Sequence, residues 1–318
     1  MRFDDSTRVY IAGCAGMLGD AVYRLLSSTS VVKATDIVVN EPWLEYADVR
    51  DYDGMRRSIE EFKPDVIINL AALTDLEQCE REPENTWLTN SLGAENLGLL
   101  ATKLNVPYVF ISTAGIFGGE QDVYTDFDEP RPLSHYAKSK VYAERYVQQA
   151  VPKSLILRAG WMMGGGPGKD KKFVNKIYKQ IAAGASALHV VVDKKGTPTY
   201  TVDFARGMKT LLEHELYGLY NQVCGGGGSR FDVAVEFVRL LGLERTVRVE
   251  RVESDYYAQE YFAARPASES LVNLKLTRRG LNGMRDWKVC LTEYSRVFLD
   301  ALRSAGRLAP PPPPAPDR

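Results

Sequence analysis

The sequence has little histidine, little cysteine and almost no net charge. Its three histidines, His135, His189 and His214, stand far apart in a chain of 318 residues. None has the spacing of metal ligands, so no metal site is expected. The four cysteines, Cys14, Cys79, Cys224 and Cys290, include no CxxC pair, which argues against a disulfide framework and for a reducing compartment. Forty basic and 41 acidic residues give a net charge of −1. That balance leaves no broad basic field, so nucleic acid is not an expected partner. No apolar run is long enough to span a bilayer. The start, MRFDDSTRVYIAG, lacks a charged leader followed by a long apolar stretch, so no signal peptide is expected. These absences together predict a cytoplasmic protein with no membrane partner. What is present is ordinary for a globular chain: 45% hydrophobic and 25% charged residues, enough for one large α/β domain or two lobes.

Short β-branched runs alternate with helical periodicity. RVYIAG (8–13), VVKATDI (31–37), PDVIINLAA (64–72), PYVFISTAG (107–115) and KSLILRAG (153–160) read as strands. Helices are predicted from Met17, over 51–63 with Asp51 as cap, over 85–105 as one long element, and over 134–150. Such alternation implies a parallel sheet covered on both faces, and right-handed crossovers make it a Rossmann-type doubly wound sheet. After Gly160 the pattern loosens through the glycine-rich loop WMMGGGPGKDKK. The reading is an α/β fold with the doubly wound sheet in 1–160 and the run 196–223 returning to it. Segments 161–195 and 224–305 form a smaller C-terminal lobe. The Pro-rich 306–318 cannot build a core and is expected to be a disordered tail.

The chemistry begins at GCAGMLG, where Gly13, Gly16 and Gly19 flank Met17 and Leu18 between a strand and a helix. Glycine permits the tight turn and lets a pyrophosphate approach the backbone, and the helix N-terminus offers amide donors. Asp36 lies 23 positions beyond Gly13, at a strand end. A carboxylate there can bind the adenosine ribose hydroxyls and repel a 2′-phosphate. Nearby Lys33 and Arg50 leave NADPH and NADH both open as cofactor. In ADVRD, Asp48 and Val49 can cap an adenine edge. In NLAA (69–72), Leu70, Ala71 and Ala72 would run beneath the cofactor, with Asn90 a further candidate for that site.

In SHYAKSK, Tyr136 and Lys140 are one helical turn apart and share a face. With 17 tyrosines in the chain, chance supplies roughly one such pair, so its company must decide. Thr113 ends a strand 23 residues earlier and can reach the same reacting oxygen. A phenol brought from about 10 toward about 7 needs roughly 4 kcal/mol at about 1.36 per pKa unit. One ammonium at ~4 Å and an effective dielectric of ~20 supplies about that much. Thr113, Tyr136 and Lys140 are therefore the candidate catalytic residues.

The glycine spacing, followed in order by STAGIFGG and SHYAKSK, resembles the extended short-chain dehydrogenases/reductases. VVDKKGTPTYTVDFA (191–205), GLYN (218–221) and RPASESLVNLKL (265–276) narrow the resemblance to dTDP-4-dehydrorhamnose reductases, over about 8–305. The resemblance implies a Rossmann domain with a small sugar-nucleotide lobe. It also implies reduction, by a nicotinamide cofactor, of the 4-keto group of a nucleotide-linked 6-deoxyhexose. Tyr136 would be proton donor, with Lys140 and Thr113 in support. A homodimer is compatible with it. The family usually carries an Asp-Tyr pair after the threonine, where this chain has Ala114 and Gly115. The sugar pocket, expected to include Thr113, Ala114, Gly115 and Trp161, should thus be roomier and less polar. Two other readings stay open: a nucleotide-sugar epimerase of the same fold, and a non-catalytic dinucleotide-binding subunit like the regulatory subunit of methionine adenosyltransferase.

Overall fold

The computed structural model describes residues 1–306. Six strands in chain order, β1 (Arg8–Ala12), β2 (Val31–Asp36), β3 (Leu44–Tyr46), β4 (Val66–Asn69), β5 (Tyr108–Thr113) and β6 (Ser154–Ala159), are joined by the later strand Gly218–Asn221. Together they form one seven-stranded sheet in the order Gly218–Asn221, β6, β5, β4, β1, β2, β3. All its pairings are parallel. Strands β4 and β6 are buried at every position, as a sheet with both faces covered requires. From β1 the chain winds outward through β2 to β3, then crosses back to β4 on the other side of β1. The switch point lies between β1 and β4, where a crevice opens at the carboxyl ends of the strands.

The helices follow their sequence signals. Asp51 caps Tyr52–Phe62 by accepting from the Gly54 amide, and Ser134 caps His135–Ala150 by accepting from the Ala137 amide. The single helix expected over 85–105 is instead Pro83–Trp87, one π-helical stretch over Leu88–Leu92, and Gly93–Leu104. Two elements escaped the sequence pattern because each is short. Strand β3 has three residues, two of them exposed, and the helix Leu76–Arg81 has six. The strand Arg248–Val252, RVERV, has no buried residue, so no apolar period marks it.

Beyond β6, Trp161–Met163 pairs with Pro198–Tyr200 and Ala187–Val191 pairs with Arg248–Val252. Lys195–Gly196 lies between Gly228–Ser229 and Ser268–Glu269. The loop expected after Gly160 therefore contains a strand, and a short helix at Gly166–Lys169. A Ser229–Asp232 capping box starts Arg230–Leu240. The last helix, Trp287–Ser304, has Asp286 as cap. Its Trp287, Leu291, Tyr294 and Phe298 join the core cluster that includes β1 residues Val9 and Ile11. Apart from Gly306, the tail expected over 306–318 lies outside the described residues. Among the described residues no helix is long and apolar enough to cross a membrane.

Candidate active site

The glycine turn makes a different steric demand at each of its three glycines. Gly13 has φ +77°, and a Cβ there would sit 2.2 Å from the Ala71 amide nitrogen. A Cβ on Gly19 would fall 2.1 Å from the Cys14 carbonyl oxygen, so this glycine lets the helix pack on the turn. Gly16 differs: a Cβ there meets nothing within 4 Å. It occupies the N-cap of Met17–Leu26 and offers no side-chain cap. The helix amides therefore face open space that only a glycine keeps clear, which fits a pyrophosphate. Met17 and Leu18 are themselves buried and support the turn.

Asp36 ends β2 as expected, but both its oxygens already accept backbone hydrogen bonds. Oδ2 takes the Ala15 amide at 2.9 Å and Oδ1 the Val38 amide at 2.9 Å. The carboxylate thus braces the glycine turn, and each oxygen keeps a further lone pair. The Asp48 carboxylate is gripped by Arg50 through Nε and Nη2, the latter at 2.6 Å, and that guanidinium holds it below the usual carboxylate range. Val49 is buried, and its carbonyl accepts from Asn96 at 2.9 Å. Neither side chain is free to the degree the sequence suggested.

Beneath the crevice, Leu70, Ala71 and Ala72 are half-buried. Asn69 shapes this stretch by accepting from the Ala71 amide at 3.0 Å and donating to Tyr108 at 2.9 Å. Asn90 serves the same stretch from the π-helical turn. Its Oδ1 accepts from the Leu73 amide at 2.8 Å, and its Nδ2 donates to the Leu73 carbonyl and to Ser139 Oγ. Ser139 in turn donates to the Tyr136 carbonyl at 2.8 Å. Asn90 thus ties the stretch after β4 to the helix bearing Tyr136 and Lys140, and its amide is spent in doing so. A π-bulge at such a junction is a frequent companion of functional sites.

Thr113 and Tyr136 meet around Gly115. A Cβ on Gly115 would lie 3.5 Å from Thr113 Oγ1 and 3.9 Å from Tyr136 Cε1. The Gly115 amide donates to Thr113 Oγ1 at 3.1 Å, which leaves the hydroxyl proton to point elsewhere. The side chain of Lys140 is buried, and its ammonium stands 4.1 Å from the centre of the Phe110 ring. It makes no hydrogen bond among the described residues.

The expected electrostatic help from Lys140 to the phenol is absent here. Burial pushes Tyr136 up to about 12, Thr113 pulls the other way, and Cys79 and Glu269 add to the rise. Burial likewise drives Lys140 down to about 7, against the pull of Glu144. Desolvation outweighs attraction for both groups. The charge of one lysine does not offset the burial of both partners.

The sugar pocket also differs from expectation. Ala114 is fully buried, packed in a cluster with Ile116, Phe117, Tyr124, Val141, Val223 and Leu271. It therefore cannot face a ligand. Gly115 does face the site, but the room beside it is not bare. Glu269 Oε2 lies 3.5 Å from where the Gly115 Cβ would be. Trp161 is largely buried but lines a small cavity with Met162, Phe173 and Arg230, and its indole Nε1 donates to Glu269 Oε1. The Arg230 guanidinium lies 3.7 Å over the Trp161 ring. Glu269 and Arg230 were missed as site residues. The only signal for Glu269 was the RPASESL stretch, which marked a segment but not the carboxylate in it, and Arg230 had none. Among the described residues no group of histidine, cysteine and carboxylate side chains could hold a metal.

A parallel sheet with an open glycine turn at its switch point defines a Rossmann-type dinucleotide-binding fold. Within that class, the RmlD substrate binding domain family matches residues 7–299, and this chain belongs to that family. The dTDP-4-dehydrorhamnose reductase of Mycolicibacterium smegmatis is 30% identical over 297 residues, 92% of this chain and 86% of that protein. The spore coat polysaccharide biosynthesis protein SpsK of Bacillus subtilis is 30% identical over 291 residues, 91% and 96% of the two chains. Among solved structures, the dTDP-4-dehydrorhamnose reductase of Bacillus anthracis in complex with NADP is similar with a TM-score of 0.83 at 26% identity. It covers 91% of this chain and 98% of that one.

Proposed function

We propose that this protein is an NAD(P)H-dependent reductase of the 4-keto group of a nucleotide-linked 6-deoxyhexose. The observation that carries the reading is the meeting of Thr113 and Tyr136 around Gly115, one helical turn from a buried lysine with no hydrogen-bonding partner. Bound NADPH or NADH supplies the hydride. Thr113 Oγ1, with one lone pair held by the Gly115 amide, donates its proton toward the keto oxygen and orients it. Tyr136 Oη donates the proton that the oxygen takes up. Its raised pKa suits the reductive direction, because the phenol stays fully protonated at neutral pH. Lys140, buried and lowered to about 7, would take up a proton from solvent as the phenol gives its own to the keto oxygen, and would hold the nicotinamide ribose. The open turn at Gly16 receives the pyrophosphate, and Asp36 receives the adenosine ribose.

In this reading 1–160 with 196–223 carries the cofactor, while 161–195 and 224–305 hold the sugar nucleotide. The protein works in the cytoplasm as a homodimer. Leu88, Leu92, Leu99 and Tyr142 are exposed on adjoining helices, and a second copy of the same two-helix face would cover them as a four-helix contact. The test of function is cofactor oxidation with a panel of 4-keto-6-deoxy sugar nucleotides of different base and stereochemistry. Failure of every member to oxidise either cofactor would reject the assignment.

A further inference from the structure

The chain lacks the polar pair its family places after the threonine, yet it brings a carboxylate to the same place from a distant segment. Glu269 ends the two-residue strand Ser268–Glu269, which is paired in parallel with Lys195–Gly196. Its position is built, not incidental. A Cβ on Gly196 would fall 2.3 Å from Trp161 Cε2, so the indole is pressed flat against that strand. The indole N–H is thereby aimed at Glu269 Oε1. Oε2 makes no hydrogen bond among the described residues and looks toward Gly115, Thr113 and Tyr136. Burial raises the Glu269 carboxyl above its usual range, while the Trp161 N–H and the nearby Arg230 and Arg265 pull the other way. Arg265 is itself paired with Glu77 at 2.7 Å, so it does not compete for Oε2.

We propose that Glu269 is a specificity-determining residue whose Oε2 accepts a hydrogen bond from the 3-hydroxyl of the sugar. The inference rests on the ketoreductase reading. With the 4-keto oxygen at Thr113 and Tyr136, the sugar turns one neighbouring carbon toward Gly115. In a 4-keto-6-deoxyhexose the carbons next to C4 are C3 and C5, and C3 is the one that bears a hydroxyl. The missing side chain at Gly115 leaves the gap through which that hydroxyl reaches the carboxylate. A sugar without it would leave Oε2 dry and unpaired, and a site built this way discriminates strongly.

The experiment compares a 4-keto-6-deoxyhexose nucleotide with its 3-deoxy counterpart, using wild type, Glu269→Gln and Glu269→Ala. The readouts are kcat/KM from cofactor oxidation and a thermal melt of each variant. Wild type should favour the 3-hydroxy sugar by about 10- to 100-fold, the worth of a hydrogen bond to a charged group. Glu269→Ala should bring that ratio within about threefold of unity by losing activity on the 3-hydroxy sugar alone. Glu269→Gln, which keeps an acceptor for the indole, should fall between them. An unchanged ratio in a folded Glu269→Ala protein overturns the proposal while leaving the reductase reading intact. Equal loss on both sugars assigns Glu269 a structural role and also overturns it. No oxidation by wild type with either sugar rejects the reductase reading, and this inference with it.

Discussion

Lys140 offers a test that separates chemistry from architecture. Its ammonium is buried against an aromatic ring and without a hydrogen bond, and burial lowers its pKa from 10.5 to about 7. In the unfolded chain it titrates near its ordinary value. Between pH 7 and 10.5 the unfolded state therefore binds more protons than the folded one, and stability must rise with pH across that window. Below pH 7 both states are protonated and the dependence from this group vanishes. Above 10.5 both are neutral and the penalty is gone. At about 1.36 kcal/mol per pKa unit, the cost at pH 7 is about 4 kcal/mol, falling to about 1 kcal/mol at pH 9.5. Local opening of the site sets a ceiling on what the fold can lose in this way.

Replacing Lys140 with methionine removes the charge but keeps the unbranched stem. Urea denaturation of the cofactor-free protein at pH 7 and pH 9.5, for wild type and Lys140→Met, cancels the groups both proteins share. Glu144 does not become an orphan in the variant, because Arg158 pairs with it. Lys140→Met should be the more stable protein at pH 7, and its advantage should shrink by about 3 kcal/mol by pH 9.5. Turnover should fall at least ~100-fold at both pH values. Gained stability with lost activity is the signature of a residue kept for function rather than for the fold. A difference in stability that does not change with pH, or a variant less stable than wild type at pH 7, would refute the reasoning.

Tyr136→Phe should retain fold and cofactor binding but lose at least ~100-fold in kcat, the scale of a positioned general acid; near-normal turnover of the purified variant would remove Tyr136 from the mechanism. Gly16→Val should unfold within ~0.5 kcal/mol of wild type, since its extended φ of −85° and open surroundings accept a side chain. The same variant should bind cofactor roughly tenfold or more weakly, about 1.4 kcal/mol, as measured by calorimetry. Gly13→Ala should instead lose stability in a denaturant titration, because φ is +77° and the Ala71 backbone blocks the new methyl. Asp36→Ala should shift the kcat/KM ratio toward NADPH by removing the charge that opposes a 2′-phosphate. It should also weaken both cofactors, because the Ala15 amide loses its acceptor.

What could be read in the sequence was what depends on near neighbours. The inner strands of the main sheet, such as β4 and β6, are apolar runs whose burial follows from their own composition, as in VIIN of β4. The glycine turn is similar: its three positions act within one strand–turn–helix unit, so spacing alone carried the reading. Tyr136 and Lys140 share a face because four residues make one turn. Of the elements that escaped, β3 is too short to show a period, and Arg248–Val252 owes its existence to a partner strand far along the chain.

The same division explains why the sugar pocket was misjudged. Counting side chains after Thr113 gave an alanine and a glycine, and hence a pocket short of polar groups. Ala114, however, points into the core, so its identity says little about the pocket. Gly115 does face the site, and an absent side chain is also a space into which something else can reach. Glu269, more than 150 positions later, comes within 3.5 Å of that space because the Ser268–Glu269 strand lies beside Gly196, and Gly196 lies against Trp161. Each contact in that chain of causes is between residues distant in sequence. A missing polar group can be inferred from one segment, but its replacement becomes visible only when the segments are brought together. The pocket is therefore redirected rather than emptied of polarity, and its preference should follow the hydroxyl that Glu269 can reach.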